Sequence, residues 1–267
     1  MIDQSQTAAL LHLASRAADI ARDLVLTRSP GQLSIKGDRD LASEVDLAVE
    51  RSVRAFLQRE SPEIGFLGEE EGASNGGTAL QWILDPIDGT VNFLHGVPLC
   101  AVSIGLVAHG ATLAALIDLP FLGTRYTALK HEGAHCGERR ITVSSSTSLA
   151  SALVSVDQYA FGHNHEHKNW QRHRLIAELV KRVQRVRIIG ASAIDLAWTA
   201  DGRLDACVML GNKPWDTAAG VLLAREAGAR VVDEDGSEHS YSSQITIATS
   251  PKLERELMEV VKAALHS

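Results

Sequence analysis

From Leu94 to Ile117 the chain runs for 24 residues without a single Asp, Glu, Lys or Arg. A segment of that length has two destinations, a lipid bilayer or the inside of a folded protein. The dipeptide His109-Gly110 interrupts it with a turn signal, leaving Val102, Ile104 and Leu106 on one side and Leu113 and Leu116 on the other. This pattern predicts two buried strands joined as a hairpin. A membrane span is the poorer reading, because there is no second run of the kind and no basic cluster flanking this one.

Other periodicities extend the picture on both sides. Leu10, Leu13, Ala14, Ala17, Ala18, Ile20, Ala21, Leu24 and Val25 recur at helical spacing over residues 3–26, up to the breaker Pro30-Gly31. A second helix is predicted from Ala42 to about Arg59 on Val45, Val49, Val53, Phe56 and Leu57, and Ser61-Pro62 stops it. Short strands follow at Ile64–Leu67 and Trp82–Leu84, each running straight into acidic residues. From Cys100 to about Val143, apolar runs alternate with Gly and His turns, as in an antiparallel sheet. The serine-rich stretch Ser144–Ser148 is the candidate linker, dividing residues 1–145 from 146–267. Beyond it, strands at Leu153–Val156, Arg185–Ile189, Asp205–Leu210, Arg230–Val232 and Ile245–Ala248 alternate with helical patterns at Trp170–Val183, Ser192–Ala200, Thr217–Ala227 and Lys252–Leu265. That alternation predicts a layered α/β half.

At 267 residues the chain is long enough for one large or two modest domains with ample core. It carries 26 Lys and Arg against 33 Asp and Glu, a net charge of −7, and its cations are scattered except in Lys181–Arg187. Nucleic-acid binding needs a segregated basic face, so this balance argues against it; the basic segment reads as a solvated helix end. Cys100, Cys136 and Cys207 are odd in number, far apart and without CxxC spacing, which fits a reducing cytoplasm better than a disulfide framework or a structural zinc site. Asp3, Arg16, Asp19, Arg22 and Asp23 make the first helix amphipathic, unlike an export signal.

The segment Trp82-Ile83-Leu84-Asp85-Pro86-Ile87-Asp88-Gly89-Thr90-Val91-Asn92-Phe93 concentrates the chemistry. An apolar strand delivers Asp85; Pro86 and Gly89 then predict a tight turn that returns Asp88 to the same side and leaves Thr90 at a helix start. Two such carboxylates suit a hard divalent cation, and the N–H groups of a helix start suit a phosphate oxygen. The plain alternative is a loop in which Asp85 caps the turn and Asp88 caps a helix. Two further acidic groups at strand ends weigh against it: Gly68-Glu69-Glu70-Glu71-Gly72, and Asp216 in Lys213-Pro214-Trp215-Asp216-Thr217-Ala218-Ala219-Gly220. The tract Gly162-His163-Asn164-His165-Glu166-His167 has the look of a transition-metal site, but it lacks a fourth ligand nearby and reads as a solvent-exposed tract at the mouth of a pocket.

Taken in order, the GEE, DPIDGTxNF and WDxAAG motifs and the REAG helix resemble the inositol monophosphatase family over nearly the whole chain. The resemblance implies a layered αβαβα sugar-phosphatase fold and a magnesium-dependent, lithium-sensitive phosphomonoesterase. It implies that Glu69, Asp85 and the carbonyl of Ile87 hold one Mg2+ and that Asp85, Asp88 and Asp216 hold a second, with Glu69 supporting a weaker third. Asp46 resembles the acid that hydrogen-bonds the motif threonine, here Thr90, and Glu70 resembles the outer acid of the GEE motif. Gly89 and Thr90 would offer N–H groups to phosphate, and Lys36 would lie in the segment that closes over the site. Water attacks phosphorus directly in this scheme, with no phospho-enzyme, and homodimers are usual.

At the alcohol end, the resemblance puts Gly190, Ala191 and Ser192 beside substrate hydroxyls, with Asp216 close by. The family's substrate-gripping glutamate falls at Met209, which lacks its hydrogen-bonding capacity. Inositol monophosphate is therefore the first substrate candidate, with histidinol phosphate and sugar or nucleotide (bis)phosphates as alternatives. A non-catalytic regulator that binds phosphorylated ligands is the reading from a different class. It would have no need of Asp46, Glu69, Asp85, Asp88, Thr90 and Asp216 together.

Overall fold

The computed structural model describes residues 3–29, 33–35, 41–74, 79–160 and 165–265, so Lys36 and His163 lie outside the described residues. In chain order the first elements are α1 (Gln4–Thr27), β1 (Leu33–Ile35), β2 (Leu41–Ser43), α2 (Glu44–Glu60), β3 (Gly65–Gly68), β4 (Gly72–Ser74), β5 (Leu80–Asp88) and α3 (Thr90–Leu94). Then come β6 (Ala101–Ala108), β7 (Ala111–Leu119), β8 (Thr124–Leu129), β9 (Gly133–Cys136), β10 (Arg139–Ile141) and β11 (Leu153–Val156). The last are α4 (Glu166–Leu179), β12 (Arg185–Arg187), α5 (Ser192–Ala200), β13 (Ala206–Met209), α6 (Pro214–Glu226), β14 (Arg230–Val232), β15 (Thr246–Thr249) and α7 (Glu254–Leu265).

The uncharged run forms the expected hairpin. His109 and Gly110 connect β6 to β7 with φ of 48° and 75°, the left-handed pair that matches the twist of a two-residue hairpin. Both strands lie inside an eight-stranded sheet of order β10-β9-β8-β7-β6-β5-β3-β4, where only β3 and β5 pair in parallel. Alternation then sends side chains two ways. Val102, Ile104, Leu106 and Leu116 pack with Ala14, Ala18, Val49 and Val53 of α1 and α2, while Ala101, Ala115 and Ile117 pack with Leu196 and Leu223 of α5 and α6. Helices cover both faces, which is why the run carries no charge.

A second sheet, order β12-β11-β13-β15-β14, lies beyond α5 and α6. Its strands alternate in the same way: Val154, Val156, Ala206 and Val208 join Leu175 of α4 and Leu257 of α7, whereas Cys207 and Met209 join the cluster around α5 and α6. The layers are thus α1/α2, large sheet, α5/α6, small sheet and α4/α7, the αβαβα arrangement. The stretch Ser144–Ser148 has no regular structure and joins the sheets, but the central apolar cluster takes residues from both sides of it, from Ala101 to Ala248.

Several boundaries differ from expectation. The helix expected from Trp170 begins at Glu166 and ends at Leu179. The helix expected from Thr217 begins at Pro214, where the missing N–H costs nothing. In the basic segment, Lys181 and Arg182 fold back onto Glu178, and Arg185–Arg187 is the edge strand β12, where charge discourages further pairing.

Candidate active site

Parallel pairing of β3 with β5 sets Gly68 opposite Leu84, and the N–H of Glu69 donates to the carbonyl of Leu84 at 3.2 Å. Glu69 and Asp85 therefore leave neighbouring strands at the same edge. In place of the tight turn expected after Asp85, the strand continues with a bulge. Asp85 stands opposite Ser103 and Asp88 opposite Ala101, so three steps along β5 match two along β6. In a regular strand, residues three apart point to opposite faces; the extra residue brings Asp85 and Asp88 to one face. Pro86, with no N–H to place in a ladder, suits the interruption. Gly89 follows with φ 90°, and a Cβ there would sit 2.9 Å from the carbonyl oxygen of Leu99. It opens α3, which no side chain caps and which at five residues offers individual N–H groups rather than a summed dipole.

Asp216 arrives from the other half of the chain, in the first turn of α6, where its Oδ2 accepts the N–H of Lys213 at 2.5 Å. A cavity of about 440 Å³ is lined by Glu69, Asp85, Ile87, Asp88 and Asp216, together with Gly89, Thr90, Gly190, Ala191 and Ser192. Asp46 stands behind Thr90: the threonine hydroxyl is 3.1 Å from Asp46 Oδ1 and 3.1 Å from the carbonyl of Ile87, so it donates to one or the other. The second oxygen of Asp46 caps α2 through the N–H of Ser43 at 2.9 Å. Glu70 is not on the cavity wall, and its N–H is held from behind by Glu50. Met209 is a correction: it is fully buried in the cluster around α5 and α6, because alternation along β13 turns it away from the cavity. His165 lines the cavity mouth, while His167 stacks on Trp170 at 6.2 Å, so the two rings do not converge.

Burial raises Asp85 well above the usual carboxylate range, and the charges of Glu69, Asp88 and Asp216 push it further. Asp88 rises to about 7, mainly by burial, despite hydrogen bonds from the N–H groups of Ala193 and Ser192. Asp216 rises to about 8 by burial, relieved in part by the N–H of Lys213. Asp85, Asp88 and Asp216 thus crowd together beside Glu69 and resist ionisation unless positive charge joins them.

These motifs and this layering recur in known proteins. The profile of the inositol monophosphatase family matches residues 3–266. The chain belongs to the inositol monophosphatase family. It is accordingly a phosphatase, hydrolysing phosphoric monoesters. The inositol-1-monophosphatase of Mesorhizobium japonicum is 37% identical over 235 residues, covering 88% of this chain and 87% of the relative. The Nus factor SuhB of Pseudomonas aeruginosa is 34% identical over 264 residues, covering 96% and 97%. Among solved structures, the extragenic suppressor protein SuhB of Bartonella henselae superposes with a TM-score of 0.88 at 31% identity, covering 95% of this chain and 98% of that one.

Inositol monophosphatase family members are generally metal-dependent, and the residues here fit a hard cation. Every donor is oxygen, and Oδ1 of Asp85 is buried with no hydrogen-bond partner, as a carboxylate reserved for a cation would be. Among the described residues, no three of these side chains yet close on one point as a ready ligand set. Asp88 and Asp216 are each engaged by a backbone N–H.

Two features escaped the sequence reading. Glu50 of α2 is wholly buried, and its carboxylate accepts the N–H groups of Glu70 and Glu71 at 2.8 Å each while pairing with Arg54 at 2.6 Å. It fixes the loop that carries Glu69, and a Cβ at Gly68 would lie 2.2 Å from it. The signal was present as a Glu and an Arg four apart on a helix, but such pairs are usually surface features. At the other end of the cavity, Asp157 forms a buried two-point ion pair with Arg172 and accepts the N–H of Leu210 at 3.0 Å. Asp195, held by Ser155, stands beside it. No motif announces this wall.

Proposed function

We propose that the chain is a magnesium-dependent phosphomonoesterase acting on a small alcohol phosphate, with inositol monophosphate as the first candidate. The observation that carries the reading is the meeting of Glu69, Asp85, Asp88 and Asp216 at one cavity, with a buried, unpartnered oxygen on Asp85. Glu69, Asp85 and the carbonyl of Ile87 would hold one Mg2+, and Asp85, Asp88 and Asp216 a second. When bound, the ions supply the positive charge that activates water toward phosphorus and stabilises the departing alkoxide. The chain's own residues orient and exclude. The N–H groups of Gly89 and Thr90 receive phosphate oxygens, and the Thr90 hydroxyl passes its proton toward Asp46 Oδ1 at 3.1 Å, which favours basicity at the reacting end. Burial raises the Asp46 carboxyl above its ordinary range, against the hydrogen bonds from Ser43 and Thr90 that lower it. Direct attack by water with no phospho-enzyme is the route that family membership supports.

A cavity of about 440 Å³ has room for a sugar- or inositol-sized alcohol phosphate. The name of the Mesorhizobium relative supports inositol; histidinol phosphate and sugar or nucleotide (bis)phosphates stay in the comparison, and Met209, turned away from the cavity, does not choose among them. A homodimer rests on family resemblance alone, since the uncharged run is already covered by the chain's own helices. Cytoplasmic placement rests on the cysteine pattern, and no described helix is long and apolar enough to cross a membrane.

A second reading follows from relatives named Nus factor SuhB, namely a regulator that keeps the fold for binding. Phosphate release from a panel of inositol 1-phosphate, histidinol phosphate, fructose 1,6-bisphosphate and adenosine 3′,5′-bisphosphate, with magnesium and with EDTA, separates the two. Release with magnesium that EDTA abolishes is expected. Activity that survives EDTA would sink the metal reading, and no activity on any ester would favour the regulator.

A further inference from the structure

A second cavity, of about 480 Å³, lies between α6, the β6–β7 hairpin, the β8–β9 turn and the chain joining β14 to β15. None of its lining residues lines the active site: Asp216 faces the one cavity and its neighbour Thr217 the other. Its floor is apolar. Ala218, Val221 and Leu222 of α6 are buried there, and half-buried Tyr241 packs against the cluster that holds Ala218. Each wall is bonded to α6. The Thr112 hydroxyl donates to the carbonyl of Ala218 at 2.9 Å, Glu226 accepts the N–H groups of His131 and Gly133 at 2.7 and 2.8 Å, and Arg225 donates to the carbonyl of His239 at 2.5 Å. The cavity is thus preformed, and a ligand entering it has little to order.

The charges around this floor do not balance. Counting Lys, Arg, Asp and Glu, the lining holds Lys130 and Arg225 against Glu226 alone, and Glu226 is already committed to two backbone N–H groups. Lys130 pairs with no carboxylate among the described residues. Arg225 has Glu238 at 3.7 Å, but Glu238 lies closer to Arg230, at 2.6 Å. Burial and the charge of Arg230 push the Arg225 guanidinium below its ordinary range, against the pull of Glu238, as for a cation short of counter-charge. His239 adds no charge at neutral pH, since burial lowers it to about 4. We propose that this cavity is a ligand site for a small monocarboxylate with a planar apolar body, separate from the catalytic one. The body covers Val221 and Leu222 beside Tyr241, and the carboxylate meets Lys130 and Arg225 through charge-assisted hydrogen bonds. One negative charge completes the balance, whereas a neutral body would leave both cations unanswered and a bare anion would leave the apolar floor wet.

Calorimetric titration of the full chain with 2-naphthoate, 2-naphthylmethanol and acetate, with magnesium and with EDTA, tests the site. 2-Naphthoate should bind saturably and at least about tenfold more tightly than either of the others, because the alcohol keeps the body without the charge and acetate keeps the charge without the body. Its affinity should be the same in magnesium and in EDTA, since no acid of the active site lines this cavity. Lys130→Ala should weaken it by about tenfold, and raising the salt concentration should weaken it in the same direction. Tyr241→Ala should weaken it by about fivefold through the lost ring contact. Lys252→Ala, which removes an equal charge from an exposed position outside the cavity, should leave it as it was. No saturable binding, equal binding of 2-naphthylmethanol, or an affinity that Lys130→Ala does not move would overturn the site. Binding seen only with magnesium would put the carboxylate on the metals and overturn it as well. Should Tyr241→Ala fail to fold, Lys130→Ala, an exposed side chain on a turn, decides by itself.

Discussion

Asp46 shows how one side chain can satisfy a structural and a chemical requirement at once. One of its oxygens completes the capping box of α2 and the other faces Thr90, so the ordinary role and the site role are both present. Thr90→Val removes the hydroxyl while keeping the shape. It should lower kcat by about tenfold to a hundredfold with little change in KM, and Thr90→Ser should restore most of the loss. The acids themselves behave differently. Asp88→Asn and Asp216→Asn should each reduce phosphate release at least about a hundredfold. Their metal-free melting temperatures should stay level or rise, because each substitution relieves repulsion among buried carboxylates. Full activity of either variant in magnesium would remove it from the proposed ligand set.

Among the elements, α2 and the loop after β3 are the coupled pair. Glu50→Gln leaves Arg54 half-buried against Gly72 and Phe66 without its carboxylate, at a cost of about 3 kcal/mol read from denaturant unfolding. The loop carrying Glu69 should loosen with it and weaken magnesium binding; an unchanged magnesium affinity would confine Glu50 to a purely structural role. Strands and helices with strict periodicity were legible in the sequence: the hairpin and the long first helix sit where their apolar spacing put them, and the second half alternates as expected, with two of its helices starting earlier, at Glu166 and Pro214. Less legible were features set by the partner strand. The bulge at Asp85 to Asp88 depends on the register against β6, and local residues alone suggested a turn. The burial of Met209 depends on which face of β13 meets α5 and α6. Glu50 and Asp157 belong to no motif, and only tertiary packing buries them.

For the molecule as a whole, the acidic surplus of the sequence has a location and a pH signature. In the folded, metal-free chain Asp88 and Asp216 titrate near 7 and 8, against 3.8 for an ordinary aspartate. Between those values the unfolded chain has released protons that the folded chain keeps, so stability falls as pH rises from about 4 to about 8 and then levels. Melting curves in EDTA at about pH 5 and about pH 8 should show the higher midpoint at the lower pH, the reverse of a protein held by paired carboxylates. Magnesium should raise the midpoint more at the higher pH, where it no longer competes with protons. A midpoint in EDTA that rises between these two pH values would show that the four carboxylates do not share a site.

The shared central layer also separates two kinds of inheritance. Glu69, Asp85 and Asp88 hang from the large sheet, whereas Asp157, Arg172 and Gly211 belong to the small sheet and its outer helix, and Asp216 of α6 and the Ala193 N–H of α5, which donates to Asp88, come from the layer between them. Descendants of such a chain can drift in the alcohol they accept by substitution on one sheet while the bond-breaking apparatus on the other stays fixed. Lineages with unlike substrates and one common chemistry are the outcome this architecture favours.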